Sequence, residues 1–335
     1  MSTKYKIIIG VAAVVLSITL IAGIFYVVSD YTSIPEGIKK TIKVEDGMSA
    51  GEIALILEKN QLVRDADDFS SMVKRQRVQN KLQAGEYEFV TGMKINEIID
   101  KMVKGEVLHI KVTIPEGYNV KQIAALLAEK KLVKESEFLQ KAEDYTPYDY
   151  MKTNNELVDY KAEGFLFPST YNITPGTSVD DILAMLTREF NNQLTVDMRK
   201  KIVERNLSIR EFVTLASLVE KEAAVAEDRK YISKVFLNRL DIDMPLQSCA
   251  TIQYILGEVK PELTIADTQR PSPYNTYIHD GLPPGPIANP GMLSMKAVIN
   301  PAQDNYLYFV AKRDGKHIFS RTYAEHLVAI EKASQ

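Results

Sequence analysis

The stretch Ser208–Ala224, SIREFVTLASLVEKEAA, reads as a helix with two glutamates near its far end. Ser208 followed three residues later by Glu211 is a capping box, so the helix starts there. Phe212, Leu215, Ala216, Val219 and Ala223 recur at helical spacing and form one apolar face. At about 100° per residue, Glu220 and Glu222 fall roughly 80° to either side of that face, so they cannot share one cleft. Val213, Ala216, Ser217 and Ala224 surround Glu220 and are mostly too small to cover its carboxylate. A carboxyl at the edge of a buried face can be partly desolvated and keep its proton near neutral pH, as a general acid must. Taken alone, the EKE triplet reads as a solvated charge run.

Around this helix the composition is that of an ordinary folded protein. A chain of 335 residues has room for two or three domains with real cores. The net charge of −3 leaves no polyanion-binding footprint, and Lys74, Arg75, Arg77 and Lys81 read as a solvated helix face; no nucleic-acid partner is expected. A single cysteine, Cys249, excludes an intrachain disulfide and a cysteine-based zinc cage. His109, His279, His317 and His326 show no metal-ligand spacing, and no glycine-rich phosphate loop is present. Neither a metal nor another cofactor is expected.

Ile7–Val28 is a run of 22 residues without a charge, long enough to cross a bilayer as a helix. Lys4 and Lys6 precede it and Asp30 follows, which puts residues 1–6 in the cytoplasm and the remainder outside. A cleaved signal peptide would have a shorter apolar core ending in a small-x-small site, whereas Phe25-Tyr26-Val27-Val28 closes this one. The expectation is an uncleaved single-pass anchor over residues 7–28.

An internal repeat comes next. IKVEDGMSAGEIALILEKNQLV from Ile42 returns 70 residues later as VTIPEGYNVKQIAALLAEKKLV from Val112. Gly47, Ile53, Ala54, Leu57, Leu62 and Val63 match Gly117, Ile123, Ala124, Leu127, Leu132 and Val133. A weaker echo follows each copy, in which Tyr87, Phe89, Gly92 and Ile98 correspond to Tyr171, Ile173, Gly176 and Ile182. Each copy reads as a strand, a glycine turn and an amphipathic helix. Two related α+β units are expected, at 38–105 and 106–190, with Tyr145–Tyr160 an irregular insertion in the second. Glu163–Pro168 reads as a packed strand start or a cleft lining. From Thr195 the helical pattern strengthens, with a second long amphipathic helix at Glu227–Leu240. Pro245–Pro301 carries nine prolines, the mark of a functional loop surface. Asp314-Gly315 between two alternating runs predicts a β-hairpin, and Thr322 with Glu325 caps a closing helix.

The second half of the chain carries LASLVEKEAAVAEDR, VFLNRL, MPLQS, RPSPYNTY, GLPPGPIANPG and LYFVA in that order. With the apolar run and the repeated units, this set resembles the MltG/YceG-like endolytic murein transglycosylases. The resemblance spans nearly the whole chain. It implies an α+β protein with an N-terminal transmembrane helix, repeated LysM-like units, and a mostly helical, lysozyme-related catalytic domain at 195–335 ending in a β-hairpin. It puts the family's catalytic glutamate on Glu220 and gives Glu222 a supporting role. Where the family often has Asp-Pro-Thr, this chain has Ser248-Cys249-Ala250 before Thr251, so no aspartate acts at that point. Gln247, Ser248, Thr251, Tyr274, Asn275, Tyr277 and Asn289 are candidate sugar contacts, while Asn275 and Asn289 equally suit stabilisers of proline-rich turns.

The implied activity is cleavage of the MurNAc–GlcNAc bond within peptidoglycan glycan strands, leaving 1,6-anhydroMurNAc ends and terminating nascent strands. The implied setting is the bacterial cytoplasmic membrane with an extracytoplasmic (periplasmic) catalytic domain beside penicillin-binding proteins or other cell-wall synthases. Two alternatives stay open: a non-catalytic glycan-binding scaffold, and a muramidase hydrolase. The hydrolase would need a second carboxylate such as Asp241, Asp243, Glu262 or Asp267.

Overall fold

The computed structural model describes residues 14–22, 36–260 and 262–334. Among them no helix is long and apolar enough to cross a membrane. Of the expected anchor Ile7–Val28, only residues 14–22 are described, and they are helical; the rest lies outside the described residues. The chain is α+β, with two compact units, Met1–His109 and Ile110–Gln335.

In the first unit β1 (Lys39–Val44) pairs antiparallel with β2 (Gly85–Val90). Between them lie α1 (Ala50–Lys59) and α2 (Ala66–Gln76), and α3 (Ile95–Lys104) follows. Alternation decides which strand residues go inside: Ile42, Val44, Tyr87 and Phe89 are buried, while Lys39, Thr41 and Lys43 stay in solvent.

The second unit opens with the same order. β3 (Ile110–Thr113), α4 (Val120–Glu129), α5 (Glu135–Asp144), β4 (Thr170–Ile173) and α6 (Val179–Gln193) repeat strand–helix–helix–strand–helix. The register repeats as well, with Ile42 opposite Tyr87 in the first copy and Val112 opposite Tyr171 in the second. Gly47 and Gly117 hold the equivalent turn at φ 83° and 77°, where a side chain would be strained. Capping boxes recur at the same place, Ser49 with Glu52 and Asn119 with Gln122. The insertion Tyr145–Tyr160 is irregular apart from a 3₁₀ turn at Asp149–Met151, and its Tyr150 packs on Phe165 and Phe190.

The rest of this unit is arranged around α8. It comprises α7 (Val196–Glu204), α8 (Ile209–Glu222), α9 (Arg229–Leu240), α10 (Cys249–Leu256), α11 (Ile265–Thr268) and α12 (Met292–Ile299). The hairpin β5 (Tyr308–Ala311) and β6 (His317–Ser320) and the closing helix α13 (Tyr323–Ser334) complete it. The capping box at Ser208 forms as its sequence predicts. The one-faced helix does not: every residue from Phe212 to Val219 is buried, because α7, α9, α10 and α12 all pack on it. The polar residues inside are satisfied locally. Thr214 donates to the Arg210 carbonyl, and Ser217 donates to the Thr214 carbonyl while accepting from the Ile287 N–H at 3.1 Å.

Phe165, Leu166 and Phe167 alternate between two cores. Phe165 and Phe167 join the cluster of Phe190 and Phe212, while Leu166 joins that of Leu127 and Ile182. Glu163-Gly164 just before them is a packed start and lines no cleft. Gly164 sits at φ 86°, and a Cβ there would lie 2.5 Å from a Pro286 carbon and 2.6 Å from a Val213 methyl. Glu163 is buried and accepts from the Val120 N–H in the first turn of α4 and from Asn289 Nδ2. Burial pushes its carboxyl up to about 8, against the opposing pull of the Val120 and Gly164 N–H groups.

Two outcomes are expected. Gly164→Ala combines a strained φ with overpacking and should cost about 3 kcal/mol, a fall in melting temperature of roughly 6–12 °C. A variant melting within about 2 °C of wild type would show that Pro286 and Val213 give way freely. Folded Glu163 holds a proton that the unfolded chain releases, so it contributes a fall in stability as pH rises from 4.5 to about 8. Glu163→Gln keeps an oxygen for the Val120 N–H and removes that titration. Its melting temperature should decline less steeply than wild type across the window, and parallel slopes would rule this out.

Candidate active site

Two residues apart on a helix, side chains diverge by roughly 200°, and Glu220 and Glu222 accordingly leave α8 on opposite flanks. Glu220 meets positive partners. One carboxylate oxygen lies 3.3 Å from the Arg229 guanidinium, and the other accepts the Gly291 N–H at 2.9 Å. Only 6% of its side chain is exposed, so the flank that its small neighbours leave bare is closed by other parts of the chain. Arg229 is held in turn by Ser294 Oγ at 3.0 Å. Glu116 stands over Gly291, where the missing Cβ leaves room for its carboxyl. Burial first, and then the Glu220 charge, raise Glu116 above the usual carboxylate range, with Arg229 opposing.

Glu222 is the last residue of α8 and lines a cavity of about 470 Å³. Its Oε1 accepts from Ser248 Oγ and from the Ala250 N–H at the start of α10. Burial raises its carboxyl above the ordinary range, while those two bonds and the charges of His317 and Arg239 oppose the rise. Gln247 and Tyr277 reach the cavity from the proline-rich loops, Cys249 from the start of α10, Tyr308 and His317 from the hairpin, and His326 from α13.

The loop carrying Gln247 is set from beneath. Arg239 is buried and donates to the carbonyls of Leu246 at 2.8 Å and Leu307 at 2.7 Å, which ties the loop to the hairpin. Gln247 is held at φ 47°, a left-handed conformation uncommon for a residue with a side chain, by its N–H to the Thr276 carbonyl at 3.0 Å. The Ser248 N–H donates to Thr276 Oγ1, also at 3.0 Å. Burial raises the Tyr277 phenol, whose oxygen is 3.1 Å from Cys249 Sγ.

The candidate sugar contacts divide. Gln247 and Tyr277 line the cavity, and Ser248 holds Glu222. Thr251 is buried behind them, bonded to the Ser248 carbonyl and Thr276. Tyr274 is core, packed 5.1 Å from the Tyr254 ring. Asn275 donates to the carbonyls of Thr268 and Arg270 and accepts the Tyr277 N–H, which fixes a turn. Asn289 donates to Tyr118 and Glu163 and accepts the Leu166 N–H at 2.7 Å. Both asparagines stabilise loops. Asp241, Asp243, Glu262 and Asp267 do not line the cavity. Among the described residues no group of three or more His, Cys, Asp or Glu is placed to hold a metal ion. Arg239 lies in VFLNRL and Glu116 in the second repeat copy, but spacing within those segments does not place them, His317 or His326 beside the end of α8.

The YceG-like family model matches residues 42–332. An endolytic murein transglycosylase of Bacillus subtilis is 36% identical over 304 residues, 87% of this chain and 84% of its own length. One from Streptococcus pneumoniae is 33% identical over 334 residues, so the match takes in 91% of this chain but 60% of that protein. A 2.6 Å crystal structure of a YceG-like protein from Listeria monocytogenes is 36% identical, with a TM-score of 0.61 over 87% of this chain and 99% of that one. The match runs from the first repeat unit through the closing helix, and the chain belongs to the YceG-like family.

Proposed function

We propose that this chain is an endolytic lytic transglycosylase that cleaves the MurNAc–GlcNAc bond within peptidoglycan glycan strands, and that its general acid is Glu222. The observation that carries the assignment is the environment of Glu222, a carboxyl raised by burial at the edge of an open cavity. Glu220, which the sequence motif put in that role, is engaged by Arg229 and the Gly291 N–H. It serves as a joint between α8, α9 and the loop before α12.

Glu222 gives its proton to the glycosidic oxygen as the bond to C1 breaks. The muramyl C6 oxygen bonds to C1 as its hydroxyl gives up its proton to a basic group of the site, and the product is a 1,6-anhydro end. No water is consumed. A single carboxyl in the cavity suits this chemistry, because the common two-carboxylate hydrolases place a second one there as base or nucleophile. Gln247 and Tyr277 offer neutral hydrogen-bonding groups for the sugars.

The finer setting belongs to the same proposal. The uncharged run Ile7–Val28 supports a single-pass anchor in the bacterial cytoplasmic membrane with the active site outside, and the repeated units at 38–105 and 106–190 support LysM-like contacts to the glycan. Residues 195–335 carry the catalytic groups. Such a placement lets the enzyme terminate nascent strands beside the synthases that make them.

Glu222→Gln keeps the shape and the Ser248 bond but cannot donate as an acid. Turnover of purified glycan strands should fall by at least about 10²-fold with the fold intact. Glu220→Gln should keep turnover within about threefold and lower the melting temperature, since Arg229 loses a buried partner. The reverse pattern, an active Glu222→Gln and an inactive but folded Glu220→Gln, would return the acid role to Glu220. Product masses one water above the anhydro species would overturn the reaction type.

A further inference from the structure

We infer that His317, held by Asp228, is the base that takes the proton from the attacking C6 hydroxyl. This rests on the reading of Glu222 as the acid and adds a second catalytic group to it. Asp228 lies in the 3₁₀ turn Ala226–Asp228 that follows α8, so acid and dyad are set by one short connection. Its Oδ2 accepts the His317 backbone N–H at 2.7 Å and contacts ring Nδ1 at 2.9 Å. A carboxylate at Nδ1 fixes the proton there and leaves the Nε2 lone pair as an acceptor. Nε2 has no hydrogen-bond partner among the described residues, although the side chain is only 3% exposed. The ring is wedged edge-on to Phe309, at 5.5 Å, and lines the same cavity as Glu222. Pairing of His317 with Ala311 in the hairpin fixes the backbone from which it projects. Such a ring is aligned by its partners and buried on its sides, in the wall of the cavity that Glu222 also lines.

The step balances. Glu222 protonates the leaving glycosidic oxygen as its bond to C1 breaks. The C6 oxygen bonds to C1, and its proton passes to His317 Nε2, giving an imidazolium held by the Asp228 carboxylate. That proton then returns to the Glu222 carboxylate through solvent, so both groups end as they began. The charged and titratable groups around His317 are Asp228, Glu222, Arg239, His326, Tyr277, Tyr308, Tyr323 and Cys249.

The test uses the full chain on uncrosslinked glycan strands, with rates and product masses followed together. His317→Gln retains an N–H for Asp228 but has no basic nitrogen. Its kcat should fall by about 10²–10⁴-fold with KM within about twofold of wild type. In His317→Ala, added imidazole should restore part of the rate. A His317→Gln kcat within about threefold of wild type would overturn the inference. So would a loss in His317→Ala that imidazole does not relieve. Glu222→Gln in parallel separates the two failures: if it is inactive while His317→Gln is active, only the base assignment falls, and if it is active, the acid reading falls.

Discussion

A helix enclosed on every side can meet solvent only at its ends, and that constraint governs this protein. α8 is buried from Phe212 to Val219, so its chemistry is confined to the last turn, where the packing of α9, α10 and α12 opens. Two carboxyls emerge there, and leaving either one charged and unpartnered away from water would be costly. The fold resolves the two differently. Glu220 is paired with Arg229 and a backbone N–H, whereas burial pushes Glu222 toward its protonated form. One solution makes a structural joint, and the other makes the carboxyl proposed as the acid.

The repeat was legible because its signals are local. A glycine at φ 77° or 83°, a cap three residues before its partner and a period-two strand are properties of short segments, and they recur 70 residues apart. The capping box at Ser208 and the hairpin at Asp314-Gly315 were legible for the same reason. The choice between Glu220 and Glu222 was not. On a helical wheel the small residues beside Glu220 look like open space. What fills that space comes from Arg229, nine residues on, from Gly291, 71 residues on, and from Glu116, which stands over Gly291. Burial around a charged group is set by tertiary contacts, and spacing within one helix carries no record of them.

Asn275 and Asn289 show the same limit from the other side. Their type suits a glycan, and their neighbourhood of prolines suits a turn. The second use prevails because each side chain is fully committed to backbone partners or to Glu163. Asn289 and Glu163 together tie the start of α4 to the loop before α12. Phe165, Leu166 and Phe167 then alternate between the two cores they join. The second repeat and α8 are thus held by one short segment whose functional importance lies in alignment, since it contributes nothing to the cavity itself.

A general acid must hold its proton before the reaction and release it during the bond-breaking step, so its carboxyl has to be raised without being made too weak an acid. In the role proposed for Glu222, burial supplies the first half. The second half comes from Ser248 and Ala250, which donate to the carboxylate that forms, and from the positive charge of Arg239. A serine is well suited to that place: it adds a donor without adding a second negative charge, whereas an ionised aspartate at the same position would oppose release of the proton. Among the residues that line the cavity, Glu222 carries the one carboxyl. Each group that lowers it again, Ser248 from the loop and Arg239 from α9, also fixes the loop on which Gln247 stands. The acidity of Glu222 and the shape of the cavity wall are set by the same few hydrogen bonds, and a change in one alters the other.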